Sequence, residues 1–409
     1  MRILIIGKYP PIEGGTMSAT YWLARGLGEA GATVTVVTNA DRVEEKYRIP
    51  LNLKDHATQH NYMPENVLVR SLEKEPPAHI PFSESFVSRL ANLGLRAVAE
   101  RGADVVYAHY LEPYGVAALM VKQFTGIPFA IRHAGSDIYR LLRSEDLSLV
   151  LGRTLQNADL LFMSSSLRRL TRRLRIPRYK VAPIVRRALP PQFSPEGEKF
   201  AFPSEWQRPK GVPLIVYFGK TARNKGIMEM LEVIATMKQD VRLLMVTNGN
   251  MLEQVKKRVA EDEQLQKRVW FSDFVAPWVV PQILRSADVL MQLENKFPIP
   301  IHTPTQPHEG VACGVPLLLS EEMAAKLERI YPRIREQATV IPDPTDVPVL
   351  SQKLEELVSD IPGARTRARE LHKEFEEHND WDGHIADYLK LFKGIRRRNL
   401  IGRFLPNRL

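Results

Sequence analysis

One cysteine, Cys313, stands in 409 residues, so no internal disulfide can form, and no Cys or His cluster has metal-ligand spacing. A lone thiol fits a reducing, cytoplasmic setting, and no metal is expected. Long apolar runs are also missing. The longest are strand-sized, well under the roughly 18 residues of a membrane span, and the opening MRILIIGKYPP is too short for a signal peptide. Stacking aromatics are not interleaved with the basic stretches, which argues against nucleic acid as a partner. With 44% apolar and 25% charged residues, the composition is that of a globular protein and excludes disordered and fibrous classes.

What is there begins with charge. A net +10 favours anionic partners, among them nucleotide phosphates and acidic membrane surfaces. The length suits about two domains. Residues 2–7 (RILIIG) form a short apolar run ending in glycine, as in a parallel strand buried on both faces. A loop and a helix over 16–30 follow, then the strand 33–38. Gly14 and Gly15 stand where a helix start could approach an anion, or where a tight turn simply needs glycine. They do not reproduce the dinucleotide fingerprint G-x-G-x-x-G. Residues 41–100 are less regular, with a helix near 85–100. Strands at 104–109, 127–132 and 159–164 then alternate with helices at 113–124 and 146–157, which predicts a doubly wound parallel sheet. His109 and His133 fall at strand carboxyl ends, where such sheets bind ligands, and His133 leads directly into AGSD.

Residues 187–212 hold five prolines and read as a linker. A second alternating series follows, with strands at 213–218, 242–247, 269–274, 288–293, 315–319 and 339–341. Two domains are therefore expected, 1–190 and 191–380, with the last helix, 381–409, returning to complete the first. The predicted fold class is α/β, with two Rossmann-like doubly wound domains facing across a cleft.

Two stretches carry chemistry in the second domain. GKTARNKG (219–226) follows a strand and opens a helix, so Lys220, Arg223 and Lys225 would gather positive charge suited to a diphosphate. In the proline-stiffened loop FPIPIHTPTQPHEGVACGVPLLLS (297–320), Gln306 reads as a helix N-cap and Pro307 as its first residue. Glu309 would then be third, placed equally for a capping box or for a ligand.

These stretches, with HAGSD at 133–137, ADVLMQL and EGVACGVP at 309–316, resemble the GT-B fold retaining glycosyltransferases of family 4, the glycosyl transferases group 1. The resemblance covers nearly the whole chain. It implies transfer of a sugar from a nucleoside-diphosphate sugar to a hydroxyl of a glycan or lipid-linked acceptor, in polysaccharide or glycan assembly, without metal or cofactor. It assigns Lys220 and Lys225 to the diphosphate, Glu309 to the ribose, and Thr305 and Gln306 to the loop over the donor. His133 falls near the reacting sugar and Gly15 near the diphosphate; His133 and Lys225 are the candidate catalytic residues, and Arg223 joins the donor-binding set. The first glutamate of the family's E-x7-E motif is replaced by Ile301, with His302 beside it, so the motif does not specify the donor sugar. A nucleotide-sugar epimerase or hydrolase, or a non-catalytic donor-binding protein, would share most of these features.

Two basic stretches are left over. LRRLTRRLRIPRYK, across 167–180, reads as an amphipathic helix whose Leu167, Leu170 and Leu174 face either an anionic membrane or the core. The tail 390–409 mixes Arg396, Arg397, Arg398, Arg403 and Arg408 with apolar residues. It is readable as a second contact with the inner face of a membrane, a soluble tail or an oligomer strand. The literal D-x-D, Asp380-Trp381-Asp382, is placed to cap the last helix.

Overall fold

The computed structural model describes residues 1–72, 86–163, 167–182, 188–206, 208–299 and 305–404, with the side chains of 400–404 excepted. The chain divides into two compact units, Met1–Ala188 with Trp381–Leu409, and Leu189–Asp380.

In the first unit, strands β1 (Arg2–Gly7), β2 (Thr33–Thr38), β3 (Val67–Ser71), β4 (Val105–His109), β5 (Phe129–Arg132), β6 (Leu160–Phe162) and β7 (Val181–Ala182) make one parallel sheet. Its order is β3-β2-β1-β4-β5-β6-β7. The order reverses between β1 and β4, the point where doubly wound sheets bind ligands. Register across it sets Gly7 opposite His109, and His109 opposite Arg132. Strand β3 falls in the stretch that showed little regularity. Four of its five residues are only partly buried, as on the outer side of a sheet, so its apolar signal is weak.

The helix Gly15–Glu29 buries Met17, Tyr21, Ala24 and Leu27 on β1 and β2. The last helix, Trp381–Phe404, packs on it closely: a Cβ at Gly26 would stand 2.6–2.7 Å from Ile385 and Trp381. Ile385, Tyr388, Phe392 and Ile395 of the last helix are buried. Their i, i+3, i+7 and i+10 spacing gives the last helix one apolar face, which carries Phe392 and Ile395 of the basic tail into the core while Arg396, Arg397 and Arg398 stay exposed.

In the second unit, β8 (Leu214–Phe218), β9 (Arg242–Val246), β10 (Val269–Ser272), β11 (Val289–Gln292), β12 (Leu317–Ser320) and β13 (Thr339–Ile341) are parallel in the order β10-β9-β8-β11-β12-β13. Every residue of β8, β9 and β11 is buried, which is why, Arg242 and Gln292 apart, they read as continuous apolar runs. The reversal lies between β8 and β11. Only two pairs register there, and beyond them Gln292 Nε2 donates to the Phe218 carbonyl at 3.1 Å, a side chain standing in for a ladder bond.

The 167–180 stretch differs from expectation. Its helix runs only over Arg168–Arg173, and Arg175 takes a left-handed φ of 52°. Leu167 and Ile176 are buried, and Leu174 lies against Gly152 of the helix Ser148–Asn157. The apolar residues thus pack inward, while Arg168, Arg169, Arg172, Arg173, Arg175 and Arg178 are exposed. Among the described residues, no helix is long and apolar enough to cross a membrane.

Candidate functional site

In the second unit the loop after β8 is held by its neighbour. Gly219 N donates to Val246 O at 3.1 Å, Thr221 N to Asn248 O at 2.7 Å, and Thr247 Oγ1 to Gly219 O at 2.6 Å. Gly249 (φ 133°) comes so close to Thr221 that a Cβ would lie 2.6 Å from its carbonyl oxygen, so this position requires glycine. The loop does not run straight into a helix as its sequence implied. Arg223–Lys225 form a 3-10 turn, Gly226 is left-handed, and the helix begins at Ile227. Lys220 and Arg223 are exposed and Lys225 is partly buried.

Lys225 has a partner that its sequence context did not indicate. Its Nζ pairs with Oε2 of Glu294, just beyond β11, whose side chain is only 1% exposed. The other oxygen, Oε1, takes Lys326 Nζ at 2.5 Å, and Lys326 also reaches Glu322 at 2.7 Å. The face of Phe297 lies 4.5 Å from Lys225 Nζ and 5.5 Å from Lys326 Nζ. One signal for Glu294 was available: a carboxylate directly ends the apolar run of β11, where burial is costly without a cation. Nothing in the sequence pointed to Lys326, 32 residues further on.

Glu309 is buried at 7% exposure in the helix Gln306–Ala312. The N-cap is Thr305, not Gln306, and Glu309 is the fourth helical residue, its N–H bonded to Thr305 O at 2.9 Å. Position four cannot close a capping box, which needs the third. Gly310 allows the helix to sit close on the sheet, since a Cβ there would be 2.6 Å from Leu290 and 3.0 Å from Leu317. Thr305 and Gln306 are partly exposed at its start, while Ile301 and His302 lie outside the described residues. Burial pushes the Cys313 thiol up to about 12, so this lone cysteine is an inert packing residue.

In the first unit, Gly14 opens the helix Gly15–Glu29 with φ 111°, and a Cβ on Gly15 would meet nothing within 4 Å. Across the switch point, His109 Nδ1 lies 3.1 Å from Thr20 Oγ1, which itself donates to Thr16 O at 2.9 Å. This contact ties the end of β4 to the helix Gly15–Glu29. His133 is partly buried, its Nδ1 donating to Ala134 O at 3.1 Å. Burial lowers its pKa, so near neutral pH it is an uncharged imidazole with Nε2 as its basic nitrogen. Asp137 organises the turn behind it: Oδ2 accepts from Ala134 N at 3.0 Å and Leu111 N at 3.1 Å. Among the described residues, Oδ1 has no partner. Burial pushes this carboxyl up to about 7 despite both amides. Close by, Tyr110 holds a strained φ of 93°, and its hydroxyl lies 2.7 Å from Ser136 Oγ.

Of the expected residues, Gly15 follows β1 and His133 follows β5 in the first unit, and in the second Lys220, Arg223 and Lys225 follow β8 while Thr305, Gln306 and Glu309 stand at the start of the helix between β11 and β12. Among the described residues, no group of three or more His, Cys, Asp and Glu is placed to hold a metal ion.

Residues 14–185 match the family model of the glycosyl transferase 4-like domain, and residues 198–375 that of the glycosyl transferases group 1. No curated protein sequence matches the chain. Several solved structures share its fold. A sucrose-phosphate synthase from Thermosynechococcus elongatus has a TM-score of 0.67 at 15% identity, over 97% of this chain and 99% of that one. Anabaena HepE, in complex with UDP-glucose, has a TM-score of 0.64 at 14% identity, over 95% and 99%. WaaG, a glycosyltransferase involved in lipopolysaccharide biosynthesis, has a TM-score of 0.61 at 15% identity, over 96% and 100%. At these identities the likeness shows the fold, GT-B.

Proposed function

Because the chain belongs to the group 1 glycosyltransferases, we propose that it transfers a sugar, with retention of configuration and without a metal, from a nucleoside-diphosphate sugar to an acceptor hydroxyl in glycan assembly. The observation that carries the donor assignment is the loop after β8. It sets Lys220, Arg223 and Lys225 at the carboxyl end of a buried parallel strand and is bolted to the next strand by three hydrogen bonds. Cleaving an anomeric C–O bond to a diphosphate develops negative charge on the leaving oxygens. Cations gathered at that loop would stabilise the charge as it develops.

The remaining roles follow from burial and chemistry. Glu309, a buried carboxylate with no capping duty, suits the vicinal hydroxyls of a ribose. Thr305 and Gln306 offer hydrogen-bonding groups beside it. Gly15 leaves room for a phosphate, and neutral His133 can accept a hydrogen bond from the reacting sugar through Nε2. An acceptor hydroxyl entering on the face that the diphosphate leaves can give its proton to that diphosphate, so the paired carboxylates of a glycoside hydrolase are not required. The Anabaena relative is described with UDP-glucose, which supports a nucleotide sugar as donor.

The acceptor side includes an anionic membrane surface in this reading. Arg398 stacks on Tyr179 at 5.9 Å and donates to its carbonyl at 3.4 Å, so the two basic stretches form one face of the first unit. Tyr179 and Phe124 on that unit are 66% and 70% exposed. A basic surface carrying exposed aromatic rings suits lipid headgroups.

Titration with UDP, GDP, ADP and their sugars, read by calorimetry, tests the donor site. One of the diphosphates binds the parent protein, and Lys225→Ala and Glu309→Ala each weaken it roughly tenfold or more. If none binds, or both variants bind like the parent, the assignment is wrong. Consumption of donor without acceptor would point instead to a hydrolase or epimerase. Pelleting with anionic liposomes at low and high salt tests the membrane contact, which no binding at either salt would refute.

A further inference from the structure

Lys225 is required by two partners at once, the diphosphate of the reading above, on which this inference rests, and the buried carboxylate of Glu294. We propose that Lys326 is the standing counter-ion of Glu294, a positioning residue that frees Lys225 to turn from that carboxylate to the diphosphate.

The argument starts from burial. At 1% exposure, an ionised Glu294 needs a cation beside it, and removing its partner would leave an uncompensated buried charge. If Lys225 were the sole partner, every diphosphate that drew it away would bear that penalty. The structure provides a second ammonium on the other carboxylate oxygen, Lys326 at 2.5 Å. With two cations on one anion, one can leave while the anion stays neutralised.

Which one leaves follows from how each is held. Lys326 is shared by two carboxylates, Glu294 and Glu322. Its helix, Glu321–Leu327, is capped by Ser320, which accepts from Met323 N at 3.3 Å and donates to Glu294 O at 2.5 Å. The backbone of the carboxylate and the helix of the lysine are therefore pinned by one hydroxyl. Among the described residues, Lys225 pairs with Glu294 alone, and it stands on a 3-10 turn just before left-handed Gly226. The Phe297 ring, 4.5 Å from its ammonium, offers it a neutral face beside the carboxylate. Phe297 N in turn is 3.3 Å from Glu322 Oε2, so the same acid that anchors Lys326 places the ring.

A double-mutant cycle separates this role from direct phosphate contact. UDP and GDP are titrated calorimetrically into the parent, Lys326→Met, Glu294→Gln and the double variant, each with folding checked by circular dichroism. Lys326→Met, which strands Lys225 on Glu294, weakens the bound diphosphate roughly tenfold or more. Adding Glu294→Gln to it restores affinity to within about threefold of the parent, since no buried charge is left to hold Lys225. Lys326→Arg retains binding because it retains the cation. Parental affinity in Lys326→Met overturns the inference, and so does a weakened Lys326→Met that Glu294→Gln fails to restore, which would mark Lys326 as a phosphate ligand or a merely structural residue. If Lys326→Met does not fold, Glu294→Gln alone decides: affinity equal to or above the parent supports the inference, and a tenfold loss refutes it. In each of these outcomes the parent still binds a diphosphate. Failure of the parent to bind any refutes the donor reading itself, and this inference with it.

Discussion

Arg132 Nη1 donates to the hydroxyl of Tyr388 at 2.8 Å across 256 residues of chain, tying the last helix to the end of β5, one residue before His133. Tyr388 is fully buried and stacks on Phe162 at 4.9 Å. The C-terminal helix therefore supports a candidate catalytic residue from behind.

Tyr388→Phe keeps the ring contacts and removes the acceptor of a guanidinium. Loss of one hydrogen bond to a charged group costs about 1.5–3 kcal/mol. Urea denaturation should show that loss, with turnover falling further than donor affinity, because the change lies beside His133 and not at the diphosphate loop.

Gly249→Ala strikes the diphosphate loop itself. The φ of 133° alone costs roughly 1–3 kcal/mol in a residue with a Cβ, and the new methyl would press on the Thr221 backbone. The expected outcome is lower stability together with weaker nucleoside-diphosphate binding, measured by thermal denaturation and calorimetry.

Asp137 makes the first unit sensitive to pH. Its carboxyl titrates near 7 in the folded protein because burial disfavours the anion, against about 4 in an unfolded chain. The folded state thus binds more protons between these values, so the contribution is fully present below about pH 4 and is lost as pH rises through 7. Asp137→Asn, which keeps an oxygen for both amides, should flatten the fall in unfolding free energy between about pH 4 and 7. An unchanged slope in the variant would count against the assignment.

Asn379 closes the second unit where the chain enters and leaves it. Leu189 N donates to its Oδ1 at 2.8 Å, and its Nδ2 donates to Leu189 O at 3.0 Å. Asn379→Ala leaves two partly buried backbone groups without that partner and should lower stability by about 1–3 kcal/mol, seen as a lower denaturation midpoint.

Much of this was already present in local sequence. Buried parallel strands such as RILIIG and LIVYF declare themselves because both faces must be apolar, and the glycine-punctuated loops after them mark the sheet ends where ligands bind. EGVACGVP and HAGSD mark the group 1 glycosyltransferases because helix starts and strand ends impose local spacing. The sequence by itself therefore determined the two parallel sheets, the family, and Lys220, Arg223, Lys225, Glu309, Gly15 and His133 as candidates. Only the tertiary structure decided what is set by contact rather than by spacing. It placed β3 on the sheet through pairing with β2 rather than through its own apolarity. It ended the basic helix at Arg173 and set Leu167 and Leu174 against the body of the first unit. It moved Glu309 from third to fourth in its helix, removing the capping role. Above all, it put Lys326 and Lys225 on one buried carboxylate. The charge of Glu294 can be read from the chain, but its burial, and hence its demand for cations, exists only once β8, β11 and β12 lie side by side.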